Sequence, residues 1–598
     1  MPWVQSPGRA TTWGHPSAFS ISPIARLRHH LREVDKDEAD IAGDVRRKPR
    51  VHIPAPSSGP RAWPILGRAS PLGPTPIAGW RPSPQTAGWI EGSDLSLETP
   101  MRAAGILLHP TSLPGDGPCG DLGRGADRFL DWLASAGCTL WQVLPLVPPG
   151  AGFSPYDSPS ATALGTHLLS IEDLVSEGLL DNRALDHRPQ AGFRVDVHAV
   201  QEWKRPRIDE AADALAQRSP DAIAAFADER PWMRTWALYE ALRHALHVDS
   251  WQDFPAPLRD REPRALKKAN KTHQHGIQRA LAAQLLVHRQ WARVRQEAAR
   301  RGIRIVGDVP IFVSGGSCDV WANRALFRGG NTGPAGRWRA DPVTGVPPDY
   351  FAPLGQRWGN PHYNWPAHQA DDFRWWRQRI RAVLDHCDIV RIDHFRGFAA
   401  AWEISADAPD ATAGSWREAP GAALFAALKS ELGGLPFIAE DLGIITPDVE
   451  KLRDDLGLPG MKVLQFAWGG TNQHTFLPHT WPSRRWVAYT GTHDTDTAVG
   501  WYQSATSREQ HRMRVYCGRD GSEPGWDLVR LAWASVADMA IAPFQDVLGL
   551  DAAWRMNVPG EVDGNWTFRA PELPIWAAER LRGMAEAYGR FPESEQDD

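Results

Sequence analysis

The segment Asp388-Ile-Val-Arg-Ile-Asp-His-Phe395 joins an apolar, β-branched run to a charged end. Such a run is typical of a strand that is buried on both faces of a parallel sheet. Arg391 and Asp393 stand two positions apart, so in a strand their side chains lie on the same face. A guanidinium so close favours the ionised carboxylate, and we expect it to lower the pKa of Asp393. The segment therefore predicts a strand that delivers a charged carboxylate to its C-terminal end.

Seven further runs of this kind occur along the chain, and several are separated by segments with the apolar spacing of amphipathic helices. Alternating strands and helices indicate a parallel α/β fold. Eight strands favour a closed (β/α)8 barrel, or TIM barrel, over an open doubly wound sheet. The predicted strands are Gly105–His109, Thr139–Leu146, Arg304–Val313, Asp388–Phe395, Pro436–Leu442, Lys462–Trp468, Trp486–Thr492 and Asp538–Asp546.

The chain is predicted to divide near residue 100. Residues 1–100 hold 15 of the 51 prolines and show little apolar periodicity, so we expect either a disordered extension or a stretch upstream of a natural start at Met101. Residues 101–598 would form the catalytic barrel. The intervals 147–303 and 314–387 are too long for one crossover helix each, and we predict that they form inserted subdomains around the C-terminal rim of the barrel.

The composition indicates no charged macromolecular partner. The 598 residues carry a net charge of −5 from 66 basic and 71 acidic side chains, so no global field attracts nucleic acid or an anionic membrane. No run approaches the ~20 apolar residues that span a bilayer, and the N-terminus lacks the apolar stretch of a secretory signal. Five scattered cysteines form no C-x-x-C pair. We expect a cytoplasmic protein with no nucleic-acid, membrane or protein partner.

Charged residues close several predicted strands. Asp393, Glu440 and Asp494 each stand at such an end, and in a barrel of this type the C-terminal strand ends face a single site. Burying three carboxylates without a function would be costly, so their convergence favours catalysis. The alternative is a set of buried salt bridges with Arg304, Arg391 and other neighbours, because structural clusters also perturb ionisation.

Paired carboxylates without a metal are typical of glycosidic bond cleavage. One acts as the proton donor and the other meets the positive charge that develops at the anomeric carbon. Asp393 would be the ionised group, whereas Glu440 would need an apolar or anionic surrounding to keep its proton near neutral pH. The 29 tryptophans, against 8 tyrosines, also suit sugar rings.

Two other classes of protein remain open at this point. A metal-dependent barrel hydrolase could use as ligands His109, His394, His493, Asp308 and Asp494. No H-x-H or H-E-x-x-H spacing occurs, and Arg391 would compete with the ion, so we expect neither a metal nor another cofactor. A non-catalytic carbohydrate-binding protein would explain the tryptophans but not the converging carboxylates.

Six motifs, in order and spacing, resemble those of the 4-α-glucanotransferases, also called amylomaltase or disproportionating enzyme, of the α-amylase-like clan. The resemblance runs from about residue 102 to 590 and implies a (β/α)8 barrel with inserted subdomains. The motifs are His109-Pro-Thr-Ser-Leu-Pro114, Phe153-Ser-Pro-Tyr156, Val390-Arg-Ile-Asp-His-Phe395, Ile438-Ala-Glu-Asp-Leu-Gly443, Thr490-Gly-Thr-His-Asp494 and Arg555-Met-Asn-Val-Pro-Gly560.

The resemblance implies an activity and assigns roles. A 1,4-α-glucan segment would move from one maltooligosaccharide to another glucan or to glucose through a covalent glycosyl-enzyme, with net retention. Asp393 would be the nucleophile, Glu440 the general acid/base, and Asp494 a third carboxylate that grips sugar hydroxyls. An α-amylase-like glucan hydrolase is the alternative, since both classes use the same three carboxylates.

Further positions would bind substrate. By resemblance, Tyr156 would form an aromatic platform, and the segment Asp349–Pro361 would overhang the acceptor side of the cleft. Asn557 and Trp566 would only shape the late barrel rim. The predicted substrate-binding residues are Tyr156, Asp308, Tyr350, Gln356, Trp358, Arg391, His394 and His493.

Overall fold

The computed structural model describes residues 102–591 except 334–335, 350–351 and 562. Eight parallel strands form one sheet in the order β5-β4-β3-β2-β1-β8-β7-β6. Each overlaps one predicted strand, and the predicted barrel fold is confirmed. The strands are β1 Ala103–Leu107, β2 Leu140–Gln142, β3 Arg304–Pro310, β4 Ile389–Asp393, β5 Phe437–Ala439, β6 Gly460–Val463, β7 Trp486–Tyr489 and β8 Met539–Pro543.

The two edge strands of this sheet, β5 and β6, are linked. The Ala439 N–H donates to the carbonyl of Pro459, just before β6, at 2.9 Å. The Asp441 carboxylate, just after β5, accepts from the Met461 N–H in β6 at 2.7 Å. These bonds curl the sheet into a nearly closed barrel, which protects edges that would otherwise stay unpaired.

Helices cover the outside of the barrel. The first places Phe129, Leu130 and Leu133 on one buried face, the spacing of an amphipathic helix, and Phe129 packs against Trp141 of β2. The helices of eight residues or more are Arg124–Ser135, Arg205–Arg218, Pro220–Glu229, Trp232–Leu246, Pro263–Thr272, Gln274–Arg300, Arg374–Leu384, Gly421–Leu432, Pro447–Asp455, Ser507–Cys517, Pro524–Ala534 and Ile575–Ala587.

A second sheet stands beside the barrel mouth, and we call it the rim sheet. Its four strands are ordered Gly414–Glu418, Ala400–Ile404, Val343–Val346 and Gln356–Pro361, with antiparallel neighbours. Two of these strands precede β4 and two follow it. The rim sheet therefore combines part of the interval 314–387 with the connection between β4 and β5.

The predicted extension 1–100 lies outside the described residues and stays a prediction. Within the described part of the chain, no helix combines the length and the apolar character needed to cross a membrane.

Candidate active site

The ends of β3 and β4 bring two carboxylates to one arginine. The strand register places Asp308 opposite Arg391 and Pro310 opposite Asp393. Nη1 of Arg391 donates to both carboxylate oxygens of Asp308, at 3.0 and 2.8 Å, and Nη2 donates to Oδ1 of Asp393 at 2.9 Å. The Arg391 and Asp308 side chains are almost fully buried. The arginine therefore fixes the orientation of both carboxylates.

The ionisation of Asp393 differs from the expectation based on the sequence. Burial raises the pKa of Asp393, and the contact with Arg391 only opposes that effect; Asp308 and Asp494 raise the pKa further. The expectation of a lowered pKa was wrong because the sequence pattern shows the guanidinium but not the desolvation of the carboxylate. Arg391 is the contact that favours the charged form of this buried group.

Glu440 follows β5 directly and lies in a different environment. Its carboxylate accepts two backbone hydrogen bonds, from the His394 N–H at 2.8 Å and the Leu442 N–H at 2.9 Å. Burial nevertheless raises the pKa of Glu440 to about 8; Arg391 opposes this shift, and the nearby Asp393 adds to it. Glu440 therefore holds its proton at neutral pH, as a general acid requires.

The backbone of His394 positions Glu440. His394 has φ 55°, in the left-handed region, which costs a non-glycine residue roughly 1–2 kcal/mol. Its N–H thereby points at the Glu440 carboxylate instead of continuing β4. Phe153 and Trp566, which flank the same region, also have positive φ. Strained backbone of this kind is concentrated at functional sites.

Asp494 lies beyond β7. It contacts its neighbour His493 and two residues from a distant part of the chain, Arg555 and Asn557. The Asn557 side-chain amide donates to its carboxylate at 2.6 Å, Nε2 of His493 lies 3.3 Å from the other carboxylate oxygen, and Arg555 donates to its backbone carbonyl at 2.8 Å. From the sequence we predicted only a rim-shaping role for Asn557. The contact between Asn557 and Asp494 was missed. The only indication of it in the sequence was that Asn557 belongs to the motif Arg555–Gly560.

Tyr156 connects opposite sides of the barrel mouth. Its hydroxyl donates to Asp308 at 2.9 Å, and its ring stacks on the His493 ring at 5.1 Å, with only 9° between the two planes. Trp566 packs against it at 5.5 Å. Because Tyr156 already has these partners, its ring is fixed in place, while its predicted use as a sugar platform stays a prediction.

The rim sheet extends toward the end of β4. Trp358, on the strand Gln356–Pro361, is 38% exposed, and its ring lies edge-on to the His394 ring at 4.8 Å. Its indole N–H donates to the Gln356 side chain at 3.1 Å. Tyr350 lies outside the described residues. The structure thus brings Trp358 and Gln356 beside the mouth of the barrel.

Three of the five residues considered as metal ligands, Asp308, His493 and Asp494, contact other polar groups. Asp308 accepts from Arg391 and Tyr156, and burial next to His493 lowers the pKa of His109 to about 3. Over the described ranges, no group of three or more His, Cys, Asp or Glu side chains is arranged to hold a metal ion.

Comparison with known proteins agrees with this geometry. Residues 108–574 match the family model described as 4-alpha-glucanotransferase. The chain belongs to the 4-α-glucanotransferase family. The chain is 45% identical to the 4-alpha-glucanotransferase of Thermus thermophilus over 504 residues, which cover 82% of this chain and 99% of the relative.

Two further comparisons point the same way. The Synechocystis 4-alpha-glucanotransferase is 42% identical to this chain over 500 residues, covering 82% of this chain and 98% of the relative. The solved structure of an amylomaltase from Streptococcus agalactiae in complex with acarbose is 35% identical. It matches with a TM-score of 0.79 and covers 82% of this chain and 100% of its own.

The raised pKa of Glu440 predicts a pH-dependent effect on stability. In the unfolded chain this carboxyl titrates near its ordinary value of 4.5, whereas in the fold it titrates at about 8. Between pH 4.5 and about 8 the folded state binds more protons than the unfolded state. The free energy of unfolding therefore falls as the pH rises through this range. Glu440→Gln cannot ionise, so it does not lose stability in this way. We expect its melting temperature to be clearly higher than that of the parent at about pH 9, and the difference to be much smaller at about pH 5.

Calorimetry at the two pH values checks this expectation. Asp410→Asn is a suitable control, because Asp410 lies in the loop between two rim-sheet strands and accepts hydrogen bonds from Thr412, so its replacement leaves the site intact. An equal stabilisation of Glu440→Gln at both pH values would contradict the raised pKa.

Proposed function

We propose that this enzyme transfers 1,4-α-glucan segments between maltooligosaccharides, or to glucose, by a retaining double displacement. The observation that carries the proposal is the contrast between two carboxylates on adjacent strands. Asp393 is bonded to the Arg391 guanidinium at 2.9 Å, which favours its ionised form. Glu440 has a pKa of about 8 and keeps its proton. These are the states that a nucleophile and a general acid need.

In the first step, Asp393 attacks the anomeric carbon of the donor. Because Arg391 donates to Oδ1, Oδ2 is the oxygen available for attack. The bond between the anomeric carbon and the departing glucan breaks as Glu440 gives its proton to the leaving oxygen. The product is a glycosyl ester on Asp393, with inverted configuration, and an ionised Glu440.

In the second step, the roles reverse. Glu440 takes the proton from the 4-hydroxyl of the acceptor, whose oxygen attacks the anomeric carbon and releases Asp393. The second inversion restores the α configuration. One glycosidic bond replaces another, so the reaction consumes neither a nucleotide nor a metal-bound water.

The surrounding residues would grip the sugar at the cleavage point. Asp494, oriented by Asn557 and His493, offers a carboxylate to sugar hydroxyls, and the fixed ring of Tyr156 offers an apolar face to the sugar ring. Hydrogen bonds between Asp494 and the sugar hydroxyls that strengthen as the sugar ring flattens would stabilise the transition state.

Transfer requires that an acceptor sugar reach the glycosyl-enzyme before water, although water is present at about 55 M. The site must therefore position the acceptor and exclude bulk solvent. We propose that Trp358 and Gln356 serve this purpose, since Trp358 contacts the His394 ring beside the nucleophile. A hydrolase would lack such a preference for sugar.

Incubation with maltotriose alone tests the proposed reaction. We expect glucose together with longer maltooligosaccharides, without any added cofactor. Asp393→Asn should lower this transfer by several orders of magnitude, because an amide cannot form the covalent intermediate, while the fold is retained. Glucose and maltose without longer products would instead identify a hydrolase, and near-parent activity of Asp393→Asn would place the nucleophile elsewhere.

Replacing Trp358 tests the account of water exclusion. Trp358→Ala should raise the ratio of hydrolysis to transfer several-fold, because the acceptor is held less well while the bond-breaking step changes less. Product analysis on maltotriose gives both rates, and Trp358→Phe should restore part of the preference. If both rates fall together at a constant ratio, Trp358 is only structural.

A further inference from the structure

Exposed apolar side chains gather around one side of the barrel mouth. The described residues expose nine large hydrophobic side chains, and four of them belong to the rim sheet, the loop before one of its strands, or the loop that follows Glu440. Each of the four is at least 38% exposed; they are Leu354, Trp358, Trp416 and Ile444. Water-exposed apolar surface of this density is typical of a binding surface.

Trp416 is held firmly while it remains 40% exposed. It lies on Gly414–Glu418, an edge strand of the rim sheet, directly opposite Trp402 on the neighbouring strand. The two rings are 5.1 Å apart at an angle of 63°, and the guanidinium of Arg396 covers the Trp416 ring at 3.7 Å from its centre. A fixed, half-exposed indole loses little side-chain entropy when it binds a ligand.

Arg396 links this indole to both catalytic strands. It lies three residues after Asp393, in the short helix Phe395–Phe398, and its guanidinium donates to the backbone carbonyl of Ile444. Ile444 in turn lies four residues after Glu440. The position of Trp416 is therefore set by the same two segments that position the nucleophile and the acid.

The role of Glu440 in the proposed reaction determines which part of the substrate would lie beside Trp416. Glu440 protonates the oxygen of the departing glucan and later deprotonates the incoming acceptor, so both occupy the Glu440 side of the cleft. The loop after Glu440 contacts Arg396, and Arg396 contacts Trp416, which places the indole on this side. Trp358 lies nearer to the proposed nucleophile, because its ring contacts that of His394. In the rim sheet the strand of Trp358 lies three strand spacings, or ~14 Å, from the strand of Trp416.

We propose that Trp416 forms an additional glucan subsite on the acceptor side, where it stacks on a sugar ring of a long acceptor or departing chain beyond the units near Trp358. This proposal rests on the proposed function. A neutral glucan fits because the apolar face of a sugar packs on indole. Glu418 is exposed on the same strand and stands two positions after Trp416, so it lies on the same face and supplies a group that can hydrogen-bond the sugar hydroxyls.

The test compares short and long acceptors. In Trp416→Ala we expect a KM for maltoheptaose as acceptor that is ~3- to 10-fold higher, while the KM for glucose and kcat with glucose stay within ~2-fold. Trp416→Phe should restore most of the affinity for maltoheptaose. Trp576→Ala, which removes a tryptophan that is 51% exposed on the helix Ile575–Ala587, should leave the KM for both acceptors unaffected.

A binding measurement separates this proposal from the catalytic one. Calorimetric titration of maltoheptaose into Asp393→Asn should give a Kd that rises ~3- to 10-fold when Trp416→Ala is added. If Asp393→Asn still turns over maltoheptaose, the nucleophile proposal fails, and the same pair of titrations is made in Glu440→Gln. An equal loss with glucose and maltoheptaose, or an unchanged Kd and KM for maltoheptaose, would overturn the subsite. If Trp416→Ala does not fold, the same comparison is made with Trp416→Leu.

Discussion

The active site depends on one buried arginine. Arg391 donates three hydrogen bonds to Asp308 and Asp393, which lie on neighbouring strands. An unpaired charge at this depth would cost several kcal/mol, so each of the three groups needs the others. The strand register that pairs Asp308 with Arg391 is therefore also the register that positions Asp393, the proposed nucleophile, and Tyr156 joins the same network through Asp308.

Around that arginine, the fold separates the properties of two neighbouring carboxylates. Both are partly buried, and the loss of surrounding water raises the pKa of each. Asp393 differs because it has a direct bond to the guanidinium, whereas Glu440 accepts only backbone N–H groups and retains its proton up to about pH 8. The N–H groups of His394 and Leu442 orient the Glu440 carboxyl but favour its charged form, so the raised pKa comes from burial, with a smaller contribution from Asp393. Placing an ionisable carboxyl in such an environment costs folding free energy when it ionises, a common trade of stability for function.

The sequence predicts the barrel well because each strand is a local apolar run, and all eight overlap the observed strands. It also brings Asp393 and Glu440 to one rim, since strand ends follow from strand positions. The net pKa of Asp393 was not predictable, because desolvation depends on every layer packed around it. The contact of Asn557 with Asp494 and the composition of the rim sheet join segments far apart in the chain, and no periodicity within either segment reveals such pairings.

Trapping the glycosyl-enzyme is the most direct test of the claim that Asp393 and Glu440 divide the chemistry. A maltosyl fluoride of α configuration needs no proton to release its leaving group, so Glu440→Gln should still form the ester but resolve it slowly. Mass spectrometry of this variant should show one added maltosyl group on the peptide that contains Asp393, and none when Asp393→Asn is added. An adduct on another residue, or one that persists in the double variant, would contradict the account.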